Sequence, residues 1–344
     1  MAEPKTPDLK DITIIGAGPT GLFGAFYAGM RAASCRLIDS LPALGGQLMA
    51  LYPEKYIYDV AGFPKVLAKD LVAAMGEQAL QFGAEVRLGE TVTSLERIDG
   101  EDGRFHFEIG TDGGVYGTRT LLIAAGIGAF EPRKLEAEGV EGFEGHGVHY
   151  IVADPRDFTG KRVLIVGGGD SAVDWAVHLQ GVARSVMLIH RREGVRAHAA
   201  TIRQVETLRD AGRCEFRTYW EVRRAEGDGR LEHVTIFDNR SGQEERLEVD
   251  VLIPLLGFHS SLGAITEWGL DTTKADIRVD STMETNVPGI WAAGDITSYP
   301  GKIKLIATGT AEACVAVNNA VHFINPKAKV NPGHSTNLKI FDQK

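Results

Sequence analysis

The stretch Ile12-Thr13-Ile14-Ile15-Gly16-Ala17-Gly18-Pro19-Thr20-Gly21 decides how the rest of the chain is read. Ile12, Thr13, Ile14 and Ile15, three of them apolar and bounded by glycine, read as a buried strand. A helix follows through Met30, and a second strand, Cys35 to Ile38, ends on the acid Asp39. Each glycine in this setting has a separate task. Gly16 permits the tight turn from strand to helix, Gly18 lets the backbone approach a pyrophosphate, and Gly21 lets helix pack closely on strand. The helix start presents unpaired N–H groups and the positive end of its dipole to phosphate oxygens. Asp39, 18 residues past Gly21, puts a carboxylate where it can accept hydrogen bonds from an adenosine ribose. A plain structural turn does not require strand, glycines, helix, strand and acid in that order.

The same pattern begins again 151 residues after Gly16. Val163-Leu164-Ile165-Val166 is the strand, Gly167-Gly168-Gly169-Asp170-Ser171-Ala172 the turn, Ala172 to Leu179 the helix and Val186 to Ile189 the next strand. The position equivalent to Asp39 holds His190, followed by Arg191, Arg192 and Arg196. A carboxylate there favours a free ribose 2′-hydroxyl, whereas guanidinium groups favour a 2′-phosphate. This assigns NADP(H) to the second unit. The other reading of Arg191 and Arg192 is a solvated surface pair.

Bulk properties set outer limits. A length of 344 residues suggests about two domains at ~150 residues each. Hydrophobic and charged fractions of 44% and 24% are those of a soluble globular protein. A net charge of −9 leaves no excess of cations for neutralising phosphates, which excludes a general nucleic-acid binder. Residues 1–10 lack the apolar core of a signal peptide, and no apolar run reaches the ~18 residues of a membrane span. A cytoplasmic protein is expected. Cys35, Cys214 and Cys314 are too scattered for a Cys-x-x-Cys pair or a zinc site, and read as buried small apolar residues.

Between and after the two glycine turns the pattern is coarser. An aromatic, proline-bearing loop runs from Leu51 to Asp59 and is closed by Gly62-Phe63-Pro64. Leu67 to Phe82 has helical period, Ala84 to Val115 reads as a β-meander, and Thr120 to Ala125 as a buried strand reaching Gly126. The aperiodic, charged stretch Glu131 to Gly147 marks a domain crossing. Asp250 to Phe258 reads as a strand returning to the first domain, Asn286 to Asp295 as a strand ending in an acid, and Gly309 to Phe323 as an amphipathic helix. The last 20 residues hold four lysines and one aspartate, a composition compatible with a mobile tail.

Taken together, Gly16 to Gly21, Gly45-Gly46-Gln47, Gly167 to Ala172, His190-Arg191-Arg192, Arg196-Ala197 and Ala292-Ala293-Gly294-Asp295 resemble the low-molecular-weight thioredoxin reductases. That family carries a redox Cys-x-x-Cys shortly before its second glycine turn. Here the corresponding His149-Tyr150-Ile151-Val152-Ala153-Asp154-Pro155 contains no cysteine, so a dithiol relay is not expected. The continuous Leu51-Tyr52-Pro53-Glu54-Lys55-Tyr56-Ile57-Tyr58-Asp59, with Gly167 to Ala176, Ser281 to Asn286 and His334-Ser335-Thr336, resembles more closely the thioredoxin-reductase-like ferredoxin–NADP⁺ oxidoreductases. The resemblance runs from Asp11 to Leu338. Val195 departs from it, standing where related sequences tend to have an aromatic residue.

The resemblance implies an α/β fold of two Rossmann-like, three-layer ββα dinucleotide-binding domains. Residues 1–125 and 258–344 would bind FAD, and the inserted residues 126–257 would bind NADP(H). It implies FAD contacts from Gly16, Gly18, Thr20, Gly21, Asp39, Gln47, Tyr52, Asp59, Val92, Phe130, Asp295 and Thr336. NADPH contacts would come from Gly167, Gly169, Asp170, Ser171, His190, Arg191, Arg192 and Arg196. Tyr52 would stack on one flavin face and His334, from the other subunit of a homodimer, on the opposite face. The implied activity exchanges a hydride with NADP(H) and single electrons with ferredoxin, with no acid or base required because the flavin carries the chemistry. Lys327, Lys329 and Lys339 are candidates for steering an acidic ferredoxin, or serve only to solubilise the tail. Two alternatives stand beside this: a flavin reductase using flavodoxin, a quinone or a disulfide protein, and a non-catalytic FAD/NADP(H) redox sensor.

Overall fold

The structure, a computed structural model, describes residues 8–101, 103–152, 154–197, 199–273 and 275–337. The chain divides into two compact units, Met1–Phe130 with Ser260–Lys344, and Glu131–His259. The first unit opens with β1 (Lys10–Ile15), α1 (Pro19–Met30), β2 (Cys35–Asp39), α2 (Gln47–Leu51), β3 (Tyr56–Ile57), β4 (Val66–Leu67), α3 (Ala68–Leu80), β5 (Glu85–Leu88), β6 (Val92–Asp99), β7 (Phe105–Thr111) and β8 (Gly114–Ile123). The chain leaves through β9 (Ala129–Pro132). The second unit contains β10 (Arg162–Val166), α4 (Asp170–Leu179), β11 (Ser185–His190), α5 (Ala199–Asp210), β12 (Glu215–Thr218), β13 (Trp220–Glu226), β14 (His233–Asp238), β15 (Glu244–Glu248) and β16 (Val251–Pro254). After β17 (Phe258–Ser261), the chain completes the first unit with β18 (Ile277–Arg278), β19 (Ile290–Ala292), β20 (Thr297–Ser298) and α6 (Ile306–Ile324).

In the first unit the described residues build a seven-stranded sheet ordered β5-β2-β1-β8-β7-β6, with β19 also paired to β8. β1 has parallel neighbours on both sides, and its last four residues, Ile12-Thr13-Ile14-Ile15, are buried on both faces. Ile12 and Ile14 join Leu22 and Ala25 of α1, Leu71 and Met75 of α3 and Ala313 and Val317 of α6 in one core. Ile15 joins Ile38, Phe107, Leu121 and Ile290 in a second. β6, β7 and β8 form the antiparallel meander that the sequence suggests. β5 does not join it. It pairs parallel to β2, because the chain reaches it through a β-α-β crossover over α3.

Two positions where α1 meets β1 admit nothing larger than glycine. Gly16 has φ +107°, and a Cβ on it would sit 2.4 Å from the Ala124 carbonyl oxygen. A Cβ on Gly21 would sit 1.8 Å from the Gly16 oxygen. α1 starts with Pro19 in its first turn, where the missing N–H costs nothing. It ends in a Schellman motif, with Ala32 N–H donating to Gly29, Ala33 N–H donating to Ala28, and Ala32 at φ +53°. α6 begins three residues earlier than its apolar period suggests, because the Thr308 hydroxyl accepts from the Leu305 amide at 3.2 Å. The strand expected over Asn286 to Asp295 shrinks to Ile290–Ala292. Pro288 lacks an amide donor and Gly289 turns with φ +89°.

The second unit has three layers. Its parallel sheet is ordered β12-β11-β10-β16, and β13-β14-β15 form a separate antiparallel sheet. Val163 and Ile165 of β10 pack with Val173 and Ala176 of α4 and Val205 of α5. Leu164 and Val166, pointing the other way, pack with Val222, Val234 and Ile236 of the antiparallel sheet. The alternation along β10 thus sets helices on one face and strands on the other.

A buried ion pair fixes the C-terminal part of the first unit. Glu312, on α6, and Lys302 have side-chain exposures of 6% and 7%. The Lys302 ammonium donates to both carboxylate oxygens, at 2.6 and 2.7 Å. The Tyr299 hydroxyl donates to Oε1 at 2.6 Å, and the Gly294 amide donates to Oε2 at 2.7 Å. The same carboxylate thus ties α6 to the turn that follows β19. Its hydrogen bond and burial together push the Tyr299 hydroxyl up to about 12.

Two stability measurements check this account. Gly21→Ala forces α1 away from β1 and is expected to lower stability by about 1–3 kcal/mol, as overpacking does; an unchanged denaturant midpoint contradicts the close approach. Glu312→Ala leaves the Lys302 ammonium buried and unpaired, at an expected cost of about 3–5 kcal/mol. Glu312→Gln keeps the shape and one acceptor oxygen but loses the charge and turns an NH2 donor towards the remaining donors; it is expected to fall between wild type and Glu312→Ala in the same titration.

Candidate functional site

Two glycine turns, one in each unit, present the chemistry. In the first unit the α1 N-terminus is capped by Gly18, which supplies no side-chain hydrogen bond. A Cβ on Gly18 would meet nothing within 4 Å. The first amides of a 12-residue helix are therefore left to an outside acceptor, as an anion site requires. Gly45 and Gly46 pack onto this turn: the Gly45 amide donates to the Ala17 carbonyl at 2.8 Å, and a Cβ on Gly46 would lie 3.1 Å from the Gly18 Cα.

Asp39 closes β2 and is 9% exposed. Its Oδ2 accepts from the Ala17 amide at 2.5 Å and its Oδ1 from the Leu41 amide at 2.8 Å. Burial raises its pKa, and these two backbone donors oppose the rise. The carboxylate thus braces the glycine turn from beneath, and each oxygen keeps a lone pair for a further donor. Thr20 reaches the other side of the turn. Its Oγ1 lies 2.7 Å from the Cβ position of Gly294 and 2.3 Å from that of Gly309. The first turn of α1, the turn after β19 and the start of α6 thereby converge, with half-buried Asp295 next to Gly294.

Tyr52 caps the C-terminus of α2 and is half-buried. Burial raises the pKa of its hydroxyl, and the carboxylates of Asp295 and Asp59 raise it further, so these three residues share one electrostatic neighbourhood. Gln47, at the start of α2, reaches the loop after β8, where its Nε2 is 3.0 Å from the Cβ position of Gly126. Val92 begins β6 and packs into the second core. Phe130 lies in β9, but its side chain is outside the described residues. Thr336 and His334 are exposed at the end of the described chain, where the Asn337 amide donates to the His334 carbonyl.

The segment leading to them is anchored. Arg31 at the end of α1 donates to the Lys329 carbonyl at 2.8 Å and the Val330 carbonyl at 3.3 Å, and also bonds Asn318. Lys327 and Lys329 are exposed; Lys339 lies outside the described residues.

In the second unit Gly169 caps α4, again with no side-chain hydrogen bond and open space at its Cβ position. Gly167 begins the turn, and Asp170 and Ser171 open the helix. His190 ends β11 with its ring against the turn, its Cε1 2.3 Å from where a Cβ on Gly168 would be. Gly168 is thus required, although the Gly-x-Gly spacing alone assigns it no task; the unbroken run of three glycines was the available signal. The Gly168 carbonyl also accepts from the Arg196 amide at 2.7 Å. Burial lowers the His190 pKa, the Gly194 carbonyl opposes this, and nearby Arg191, Arg192 and Arg196 lower it further. Three exposed guanidinium groups around a half-buried imidazole make a concentrated positive field. That field suits a phosphate dianion.

None of the three cysteines is in a disulfide. Burial pushes the thiols of Cys35, Cys214 and Cys314 up to about 12, 11 and 11, leaving them poor thiolates. Among the described residues no helix is long and apolar enough to cross a membrane.

Known proteins fit this geometry. Residues 10–313 match the pyridine nucleotide-disulphide oxidoreductase family. The chain is 50% identical over 329 residues to a ferredoxin–NADP reductase of Thermus thermophilus, covering 96% of this chain and 97% of that one. It is 52% identical over 332 residues to a ferredoxin–NADP reductase of Halalkalibacterium halodurans, covering 96% and 98%. Among solved structures it is similar to the thioredoxin reductase of Lactococcus lactis, with a TM-score of 0.67, 26% identity and coverage of 92% and 99%. On the family match over residues 10–313 and these near-full-length identities, the chain belongs to the pyridine nucleotide-disulphide oxidoreductases, and within them to the family of the ferredoxin–NADP reductases.

Proposed function

We propose that the protein is an FAD-dependent ferredoxin–NADP⁺ reductase, which exchanges a hydride with NADP(H) and single electrons with ferredoxin. The observation that carries this reading is the opposite charge placed beside two similar glycine turns. Asp39 braces the first, and Arg191, Arg192 and Arg196 surround the His190 that packs on the second. The names of the relatives support the same reading.

The residues fit both groups. The α1 amides behind Gly16, Gly18, Thr20 and Gly21 hold the FAD pyrophosphate, and Asp39 accepts from the ribose with the lone pairs left over from Ala17 and Leu41. Tyr52 offers an aromatic face to the flavin ring, with Asp59 and Asp295 beside it, while Gln47, Val92, Phe130 and Thr336 complete the lining. His334 of a second copy of the chain covers the opposite face, which makes the working form a homodimer. Gly167, Gly169, Asp170 and Ser171 hold the pyrophosphate of NADP(H), and the arginines hold its 2′-phosphate. FAD held by these residues would supply the redox chemistry that links two-electron exchange with NADP(H) to one-electron exchange with ferredoxin. The raised thiol pKa values favour direct exit to a carrier over a disulfide substrate. The reading also places the 126–257 domain as the NADP(H) domain, and the enzyme in the cytoplasm with its reduced nicotinamide supply.

Purified yellow protein is expected to oxidise NADPH with ferredoxin at a rate near that with an artificial dye. Dye activity without ferredoxin activity assigns another acceptor. Arg191→Ala with Arg192→Ala is expected to raise the NADPH KM about a hundredfold, two charge-assisted contacts' worth, and to leave the NADH KM nearly unchanged. Equal losses for both coenzymes contradict the phosphate assignment. If Lys327 and Lys329 steer an acidic carrier, the second-order rate with ferredoxin falls as ionic strength rises; a rate indifferent to salt removes that role.

A further inference from the structure

Tyr219 is out of place by local rules. It links the parallel strand β12 to the antiparallel strand β13 and has φ +67°. That region is costly for a bulky side chain. Among the described residues only Ala32 and Met283 share it without being glycine. Strain of this kind persists where surrounding contacts hold it, and such positions cluster at functional sites. The contacts are specific. The Asn239 amide donates to the Tyr219 carbonyl at 2.8 Å, and the Asn239 side chain donates to the Arg191 carbonyl at 2.9 Å and to Glu221 at 2.8 Å. The Tyr219 hydroxyl donates to Glu193 at 3.1 Å. One turn of the antiparallel sheet is thereby fastened to the arginine-bearing turn after β11.

The register explains why these groups meet. β12 runs parallel to β11 with Thr218 opposite His190, so Tyr219 follows the carboxyl end of its strand just where Arg191 follows the carboxyl end of the next. Nucleotides bind at the carboxyl edge of such a sheet. Arg240, from the turn between β14 and β15, lays its guanidinium over the Tyr219 ring at 3.8 Å. Its side chain is 62% exposed and makes an ion pair with Asp238 at 3.5 Å. A guanidinium stacked on an aromatic face keeps its edge donors pointing outward in a fixed plane, the arrangement that phosphate recognition uses. Glu193, held by the Tyr219 hydroxyl, is a carboxylate near an anion site, and its tether fixes where that negative charge sits.

We propose that Arg240, held flat on Tyr219, is a fourth guanidinium of the site for the 2′-phosphoadenosine end of NADP(H), and that Tyr219 is its positioning residue. This rests on the second unit being the NADP(H) site. Arg240 contacts the phosphate; Tyr219 acts through Arg240 and through Glu193. The antiparallel sheet, which packs behind β10 and β11, thus contributes to coenzyme choice through one turn.

The test is calorimetric titration of the oxidised, FAD-loaded protein with adenosine 2′,5′-bisphosphate and with 5′-ADP, which involves no turnover. Arg240→Gln is expected to weaken the bisphosphate about tenfold, the size of one charge-assisted contact, and to leave 5′-ADP unchanged. Arg240→Lys is expected to recover part of the loss. Tyr219→Asn, which tolerates the left-handed backbone but removes the ring, is expected to weaken the bisphosphate selectively while the melting temperature holds. Unchanged bisphosphate binding in Arg240→Gln, or equal weakening of both ligands, overturns the proposal. A wild-type protein that binds the two ligands equally overturns instead the assignment of NADP(H) to this unit.

Discussion

The approach of a helix end to a strand end, at a distance that only glycine allows, underlies both units. At Gly16 the oxygen of Ala124, just past β8, would be 2.4 Å from a Cβ, and at Gly167 the oxygen of Leu255, just past β16, would be 2.5 Å from one. In each case the first glycine's amide also donates to the second strand, to Ile38 at 2.8 Å and to Ile189 at 3.1 Å. The helix axis therefore starts low against the sheet, and its free amides open at the carboxyl edge. The third position of the motif differs. Gly21 sits against the Gly16 oxygen, whereas the second unit has Ala172, whose Cβ lies 2.8 Å from the position of a Cβ on Gly167. The same constraint is met in two ways.

From that shared frame the two sites diverge through one residue each. Asp39 turns back beneath its glycine turn and spends part of its hydrogen-bonding capacity on the Ala17 amide. His190 lies over its own turn in the space left by Gly168 and makes room for a chain that carries three arginines outward. A carboxylate and a guanidinium cluster at equivalent positions select different ribose chemistry. The charge difference is local, since the chain as a whole carries −9.

Much of this was legible in the sequence because it rests on local periodicity and on glycine. The strand–turn–helix units, α3 and α6 follow from apolar spacing, with the boundary of α6 moved only by the Thr308 cap. The β13-β14-β15 sheet did not stand out. β15 reads Glu244-Glu245-Arg246-Leu247-Glu248, and its single apolar side chain gives little alternation to detect. The parallel placement of β5 depends on a crossover and not on its own residues. Within the sites, Asp39 and the arginines were visible by spacing, but the bracing of Ala17 was not, because it depends on how a side chain turns. By pattern Glu312 is one acid in an amphipathic helix, and its enclosure with Lys302, ten residues earlier, depends on the tertiary fold. Tyr219 could not be singled out, since nothing in its neighbours announces a positive φ.

The enclosed pair of Lys302 and Glu312 has an evolutionary consequence. Each charge is tolerable only in the company of the other, so a lineage that alters one codon alone must pass through a poorly folding ancestor. The Gly294 amide and Tyr299 hydroxyl that share the carboxylate widen that barrier, because any replacement of Glu312 has to satisfy three donors at once, the Lys302 ammonium included.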